Sequence, residues 1–172
     1  GIDINKFKPN EVNTIFKRDE IVIGTIKSLK NIYGIEYLIR AFKIVKTKLP
    51  DRKIKLLLVG EGTQRKNLEA LAIELNLFSD IVFTGYVCHD EVEKYHNMLD
   101  IYIAVSLQES FGVAVLEASA CGKPVIVSNV GGLPEVVDDG KTGIIVEKEN
   151  PHQLADALMK LITNADLRIE MG

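Results

Sequence analysis

Two glutamates flank the loop of the sequence that is best suited to chemistry. Glu109 and Glu117 enclose seven residues, with Ser110 and Gly112 between them, just after an apolar run and before a helical pattern. Where a helix begins, free backbone N–H groups and the helix dipole favour an anion, and a glycine lets the backbone approach it closely. Ionised carboxylates accept strong hydrogen bonds from hydroxyl groups, so the pair could hold one hydroxyl on a sugar and one on a ribose.

The spacing alone also allows a plainer interpretation of this loop. Ser110 would then be an ordinary helix N-cap, Glu109 a solvated side chain and Glu117 one charge on an exposed helix face. The surroundings of Glu117 argue against this alternative, because a lone carboxylate in an apolar helix must be paired or bound to a ligand. Its neighbours are apolar or small: Val113, Val115, Leu116, Ala118 and Ala120.

Two lysines follow the first apolar run of the chain. Lys27 and Lys30 lie in the segment 24–31, before a helical pattern that starts near Gly34. Ammonium groups at that position could neutralise a diphosphate leaving group. Ordinary surface lysines are the alternative that the sequence leaves open.

Three other features are weaker. Residues 60–62, Gly-Glu-Gly, are like a dinucleotide-binding fingerprint, but Arg65 stands where the third glycine should be and the loop follows the second strand, so NAD binding is not predicted. Residues 131–135 form another strand-to-helix turn, which either lines a crevice or merely turns the chain. His89 and His96 lack the paired spacing of a zinc site, so we predict no metal site.

Strand and helix patterns alternate along the chain and predict the architecture. Six brief, β-branched runs are apolar on both faces, as expected for strands covered by helices on each side: residues 21–24, 54–59, 81–83, 101–105, 125–127 and 143–146. Between them lie helical patterns, and the last has Asn150 as a suitable N-cap and Pro151 at its first position. This alternation predicts an α/β fold with a doubly wound, Rossmann-like, mostly parallel sheet. Ligands bind such sheets beyond the carboxyl ends of the strands.

Composition excludes several classes of protein. A length of 172 residues with 47% hydrophobic and 26% charged residues fits one globular domain. A net charge of −3 without a basic stripe argues against a nucleic-acid partner. Cys88 and Cys121 are too few for a disulfide scaffold and suit a reducing compartment. Since we find neither a membrane-spanning apolar run nor a signal-peptide core, we expect a cytoplasmic location.

The stretch ESFGVAVLE, residues 109–117, resembles the E-x7-E signature of retaining glycosyltransferases of family 4, which have the GT-B architecture. The similarity continues through residues 117–158, while GIDINKFKP at the start resembles the segment after that family's interdomain linker and YGIEYLIRAF its first helix. The resemblance covers essentially the whole chain. It implies that residues 1–172 are the C-terminal donor-binding domain of a two-domain enzyme whose N-terminal acceptor domain is absent here.

Roles for individual residues follow from the resemblance. In such enzymes the first glutamate approaches the transferred sugar and the second binds the nucleotide ribose, which implies a catalytic role for Glu109 and ribose binding by Glu117. Backbone amides between them meet the sugar or the phosphates, and the loop after the third strand contributes to the base pocket. The resemblance thus assigns donor binding to Ser110, Phe111, Gly112, Val113, Tyr86 and Val87.

One departure from the family pattern concerns the phosphates. The family usually has an arginine directly after the glycine of the first strand, and Thr25 occupies that position here. The resemblance therefore places Thr25 at the donor site and leaves Lys27 and Lys30 as the available catalytic cations. The sequence does not decide which lysine replaces the arginine.

The expected function is retaining transfer of a hexose from a UDP- or GDP-type sugar donor to an acceptor, without a metal or other cofactor. The resemblance implies that the acceptor is bound mainly by the N-terminal domain, which would also carry any membrane association. This domain alone would then bind the donor and transfer nothing. Two alternatives remain open: a sugar-nucleotide epimerase or phosphorylase of GT-B architecture, and a non-catalytic nucleotide-binding module.

Overall fold

The computed structural model describes residues 2–172, which contain one six-stranded sheet and six α-helices. The strands are β1 (Ile21–Ile26), β2 (Ile54–Val59), β3 (Ile81–Phe83), β4 (Ile101–Ala104), β5 (Val125–Ser128) and β6 (Gly143–Val146). The helices are α1 (Ile35–Lys48), α2 (Arg65–Glu74), α3 (Val92–Met98), α4 (Val113–Ala120), α5 (Pro151–Ile162) and α6 (Ala165–Met171). Short 3₁₀ helices span Asn31–Tyr33, Phe78–Asp80, His89–Glu91 and Leu133–Glu135.

The sheet has the strand order β3-β2-β1-β4-β5-β6, and every pairing in it is parallel. Ile23 of β1 is in register with Leu56 of β2 on one side and with Ile101 of β4 on the other. The chain proceeds outward from β1 in one direction and from β4 in the other, so the order reverses between these two strands. The predicted fold class, a doubly wound Rossmann-like α/β domain, is confirmed.

Each face of the sheet has its own hydrophobic core, which explains why most strand residues are apolar. Ile23, Leu56 and Ile103 pack on the side of α1, α2 and α5. Their chain neighbours Val22 and Leu57 pack on the opposite side, with residues of α4. Because successive side chains in a strand point to opposite faces, a sheet covered on both faces needs no polar alternation.

Within residues 2–172, no helix combines the length and the apolar content that crossing a membrane would require.

Candidate functional site

A lysine and a glutamate meet where the strand order reverses. Lys27 directly follows β1, Glu109 lies in the loop after β4, and the Lys27 Nζ to Glu109 Oε2 distance is 2.6 Å. Both side chains are mostly shielded from water, at 13% and 12% exposure. The alternative in which Glu109 is merely solvated is therefore wrong. The carboxyl edge at such a reversal is where doubly wound sheets bind ligands.

The loop after β5 supports Glu109 through its backbone. The Gly132 N–H donates a hydrogen bond to the Glu109 carbonyl at 3.2 Å. A Cβ added to Gly131 would lie only 1.7 Å from that same carbonyl oxygen, and the residue has φ +50°. The turn at 131–132 thus does more than reverse the chain, because its glycines permit a close approach to the Glu109 loop.

The glycines at 60 and 62 support Lys27 in a similar way. A Cβ at Gly60 would lie 2.2 Å from the Lys27 carbonyl oxygen, and a Cβ at Gly62 would lie 2.4 Å from that of Leu29. The Leu29 N–H also donates to the Glu61 carbonyl at 3.0 Å. These contacts give the Gly-Glu-Gly sequence a structural explanation, since only residues without a Cβ let the two loops approach so closely.

Free N–H donors lie directly after Glu109. The N-cap of α4 is Gly112, with φ +65° and ψ +38°, so the alternative that made Ser110 the N-cap is wrong. The N–H groups of residues 110–113 donate to no acceptor within residues 2–172. Phe111 and Val113 are 77% and 51% exposed. Backbone N–H groups that have no hydrogen-bond acceptor at the start of a helix are suited to binding an anion.

Glu117 lies inside the fold on α4, as its apolar neighbours predict. Its side chain is 11% exposed, and its Oε1 lies 3.4 Å from Nε2 of His96 on α3. The alternative of a charge on an exposed helix face is wrong. Its other oxygen, Oε2, has no hydrogen-bond partner within residues 2–172 and is not among the fully buried polar atoms.

A cavity of about 230 Å³ opens beside Lys27. Tyr86 and Val87, on the loop after β3, form part of its wall together with Gly60 and Val92. Tyr86 is 78% exposed at this location. The structure therefore brings the predicted base-pocket residues and Lys27 to one cavity.

Two other residues of the predicted site are not brought to it. Thr25 lies within β1 at 3% exposure, so its side chain faces the interior and not a ligand. Beside it, Tyr102 donates a hydrogen bond to the Ile26 carbonyl at 3.3 Å, and burial raises the pKa of this tyrosine. Lys30 lines a separate groove of about 360 Å³ between α1 and α2, with Arg40 and Gln64. Of the two lysines, Lys27 is the one that contacts Glu109.

Sequence reasoning missed three residues that contact the site. The Ser106 hydroxyl donates to Glu109 Oε2 at 3.2 Å, and the Tyr33 ring centroid lies 4.7 Å from Lys27 Nζ. The third is His96, which was considered only as a metal ligand. Ser106 could have been found, because it follows a strand at the carboxyl edge of the sheet. No signal in the sequence indicated the contacts of Tyr33 with Lys27 and of His96 with Glu117, which form only when the chain is folded.

Within residues 2–172, no group of three or more histidine, cysteine, aspartate or glutamate side chains is arranged to hold a metal ion.

Comparison with known proteins identifies the family. Residues 7–172 match the family model described as glycosyl transferases group 1. The chain belongs to this family. It is 34% identical over 185 aligned positions to a D-inositol 3-phosphate glycosyltransferase of Corynebacterium jeikeium, an alignment that covers 100% of the chain and 44% of that protein. It is 30% identical over 185 positions to a GDP-mannose-dependent alpha-(1-6)-phosphatidylinositol monomannoside mannosyltransferase of Mycobacterium tuberculosis, covering 100% of the chain and 48% of that protein.

A solved structure of the same family has the same fold. The C-terminal domain of a glycosyl transferase group 1 family protein (LpcC) from Francisella tularensis superposes with a TM-score of 0.86 at 28% identity. The match covers 99% of this chain and 92% of that one. By contrast, the chain spans less than half the length of the two curated relatives, at 44% and 48%. Family membership thus supports a glycosyltransferase, and the chain matches nearly all of a structure described as a C-terminal domain.

Proposed function

We propose that this chain is the donor-binding domain of a retaining glycosyltransferase of family 4, which takes a hexose from a nucleoside diphosphate sugar. The observation that carries the proposal is the contact between Lys27 and Glu109 at the strand reversal, at 2.6 Å. The next residues in the chain after Glu109 are 110–113, whose N–H groups donate to no acceptor within residues 2–172. The site therefore offers positive charge and a carboxylate at the carboxyl edge of the sheet.

Stabilisation of the leaving group is the main chemical task. As the bond between the sugar C1 and the phosphate oxygen breaks, negative charge develops on the diphosphate. Lys27 and the N–H groups of residues 110–113 would offset that charge, and they are in place before the reaction starts. In this proposal the protein itself supplies the positive charge, so no metal ion is needed for the step.

In this proposal the two glutamates bind different parts of the donor, Glu109 the sugar and Glu117 the ribose. Glu109 is held by Lys27 and by the Ser106 hydroxyl and would accept a hydrogen bond from the transferred sugar. Glu117 would accept one from the ribose through Oε2, the oxygen that has no protein partner within residues 2–172. Tyr86 and Val87 would contact the base in the neighbouring cavity.

Family membership and the lengths of the relatives support a two-domain enzyme. The chain covers 44% and 48% of the two curated relatives, which leaves room in each for a second domain. We expect such a domain to bind the acceptor, to close the cleft and to carry any membrane association. Retention of configuration rests on the E-x7-E resemblance of residues 109–117, and NMR of the glycoside product would test it.

The name of the Mycobacterium relative specifies GDP-mannose, and the base of the donor used by this chain can be identified by nucleotide binding. The direct test is thermal unfolding of the 172-residue chain with UDP, GDP and ADP. A nucleotide at 100 times its Kd should stabilise the fold by about 2.7 kcal/mol, which for this size raises the Tm by about 5–10 °C. Unchanged melting with all three nucleotides would overturn the proposal. A response to one of them identifies the base.

A further inference from the structure

His96 is a buried histidine that the proposed chemistry leaves unexplained. Its side chain on α3 is 0% exposed. Nε2 lies 3.4 Å from Glu117 Oε1, whereas Nδ1 is buried and has no hydrogen-bond partner within residues 2–172. A buried polar atom without a partner destabilises a fold, so its presence calls for a physical reason.

Two aromatic rings fix the orientation of the imidazole. The Phe7 ring centroid lies 5.9 Å from that of His96, with an interplanar angle of 84°. The Tyr102 ring lies 5.4 Å away at 40°. Both aromatic side chains are buried, so the imidazole has little freedom to turn away from Glu117.

Phe7 reaches this position because the segment before β1 is tied to α3 and the turn before it. The Asn97 side chain donates to the Lys8 carbonyl at 3.1 Å and accepts from the Asn10 N–H at 3.0 Å. Lys6 Nζ donates to the His89 carbonyl at 3.1 Å. The N-terminal segment thus packs behind the histidine that contacts Glu117.

The hydrogen-bond inventory explains why a histidine stands here. A hydrogen bond from the imidazole to the Glu117 Oε1 atom requires a hydrogen on Nε2. Nδ1 then remains a buried ring nitrogen without a partner within residues 2–172. An apolar side chain between Phe7 and Tyr102 would avoid this cost, and packing alone therefore gives no reason for the imidazole. Within residues 2–172, the contact with Glu117 is the one polar contact of the imidazole.

We infer that His96 is a positioning residue for recognition of the nucleotide ribose. By donating to Oε1, it orients the Glu117 carboxylate so that Oε2 is presented to a ribose hydroxyl. Phe7 and Tyr102 hold the imidazole for this purpose. The inference rests on the proposed function and adds a residue that does not itself touch the donor.

The test compares a ribonucleotide with its 2′,3′-dideoxy analogue, using the 172-residue chain and isothermal titration calorimetry. The nucleoside diphosphate is the one of UDP, GDP and ADP that stabilises the chain. The unsubstituted chain should bind the ribonucleotide about tenfold more tightly than the analogue, as expected for a hydrogen bond to a carboxylate. His96→Gln places an amide nitrogen near the Nε2 position and should keep most of this preference. His96→Asn is too short to reach Glu117 and should lose it, with the affinity for the analogue unchanged.

The outcomes separate the inference from the proposed function. If no nucleotide binds the unsubstituted chain, the proposed function fails and the inference with it. Equal affinity of the unsubstituted chain for both nucleotides would refute the ribose role of Glu117 and hence that of His96.

If the ribose preference exists and His96→Asn retains it, the inference alone is wrong. The inference is also wrong if His96→Asn lowers the affinity for the ribonucleotide and for the dideoxy analogue by the same factor, since this would indicate a purely structural role of His96. Both variants carry a polar amide, so a comparison of their Tm values controls for folding.

Discussion

Lys27 Nζ and Glu109 Oε2 lie 2.6 Å apart, although the two residues are 82 positions apart in the chain. The contact joins the ends of β1 and β4, the two strands between which the order of the sheet reverses. At 13% and 12% exposure the pair is poorly solvated, so its electrostatic attraction exceeds that of a typical surface ion pair. A diphosphate that binds here has to share Lys27 with Glu109. Under the proposed function, donor binding and the position of Glu109 would therefore be coupled through one ammonium group.

Replacing Lys27 should affect the diphosphate much more than the nucleoside. We expect Lys27→Met to weaken nucleoside diphosphate binding about tenfold to a hundredfold, the range for a lost hydrogen bond to a charged group. Affinity for the nucleoside alone should change little, because it carries no phosphate. Isothermal titration calorimetry with both ligands measures the difference.

Lys30 provides the matched control for this substitution. It lies in the groove between α1 and α2, away from Glu109, so Lys30→Met should leave both affinities within about twofold of the original. A larger loss from Lys30→Met than from Lys27→Met would show that the wrong cation has been assigned to the phosphates.

Tyr86 offers a test of the base pocket that spares the fold. Its side chain is 78% exposed at the cavity, so truncation should barely change the free energy of unfolding. Stacking of a base on an aromatic ring contributes about 1–3 kcal/mol, hence Tyr86→Ala should weaken nucleotide binding by roughly fivefold or more. Tyr86→Phe keeps the ring and should bind almost as before. Equal binding by the alanine and phenylalanine variants would exclude stacking.

The sequence was sufficient to predict the fold, because the sheet is covered on both faces. All six predicted strands are present, since short β-branched apolar runs of this kind are compatible with little else once helices alternate with them. Strand ends were less certain. The prediction ended the first strand at Gly24, whereas β1 continues to Ile26 with Thr25 in register with Leu58. That error of two residues placed Thr25 in a loop when it belongs to the buried sheet.

The site was predictable only where it depends on local order along the chain. Glu109 and Lys27 each follow a strand, and parallel strands carry their carboxyl ends to one edge. The alternative that made Ser110 the N-cap rested on the N-cap preference of serine, yet Gly112 takes that position with a left-handed backbone and α4 begins at Val113. The contact of His96 with Glu117 joins two helices and spans 21 residues, and no pattern in the sequence encodes it.

Gly131 should be intolerant of any side chain. Its φ of +50° strains an alanine, and a Cβ would lie 1.7 Å from the Glu109 carbonyl oxygen, so the backbone would have to move. We expect Gly131→Ala to reduce the free energy of unfolding by about 2–4 kcal/mol and to weaken nucleotide binding. Urea denaturation measures the first effect and calorimetry the second.

Gly140→Ala is the control that distinguishes the cost of backbone strain from the cost of the steric clash in Gly131→Ala. Gly140 has φ +83°, but nothing lies within 4 Å of a Cβ added there. Gly140→Ala should therefore cost only about 1 kcal/mol and leave nucleotide binding intact. Equal losses for the two variants would mean that the contact with Glu109 contributes nothing beyond the dihedral angle.

The two cysteines should differ sharply in reactivity. Cys88 is exposed, whereas Cys121 is buried and burial raises the pKa of its thiol to about 11. At pH 8, iodoacetamide should add one group to the native chain and two to the unfolded chain, as counted by mass spectrometry. Cys88→Ala should abolish the native adduct, and a persistent adduct would show that Cys121 is accessible.

The raised pKa of Cys121 also predicts a loss of stability at high pH. The folded state favours the protonated thiol, so its contribution is fully present below the unfolded thiol pKa, about 8.5. It is lost as the pH rises through the folded value of about 11. Cys121→Ala should therefore unfold with less dependence on pH between these values, as urea titrations across that range would detect. The same slope in both proteins would contradict the assignment.

Asp80 should make the fold sensitive to acid. It forms ion pairs with Lys55 at 2.7 Å and Lys46 at 3.2 Å. Burial by itself raises the pKa of this carboxyl, but the hydrogen bonds and charges of the two lysines outweigh that effect and lower it overall. A carboxyl whose pKa is lowered by folding contributes stability above its unfolded pKa, about 3.9, and this contribution is lost as the pH falls through the folded pKa.

Asp80→Asn should thus reduce the free energy of unfolding by about 1 kcal/mol at pH 7 and by progressively less below pH 4, as measured by urea unfolding. Asp19→Asn is the matched control, because its pair with Lys53 is exposed and should contribute less. An Asp80→Asn loss that is the same at pH 7 and pH 3 would show that the lost stability does not come from the charge.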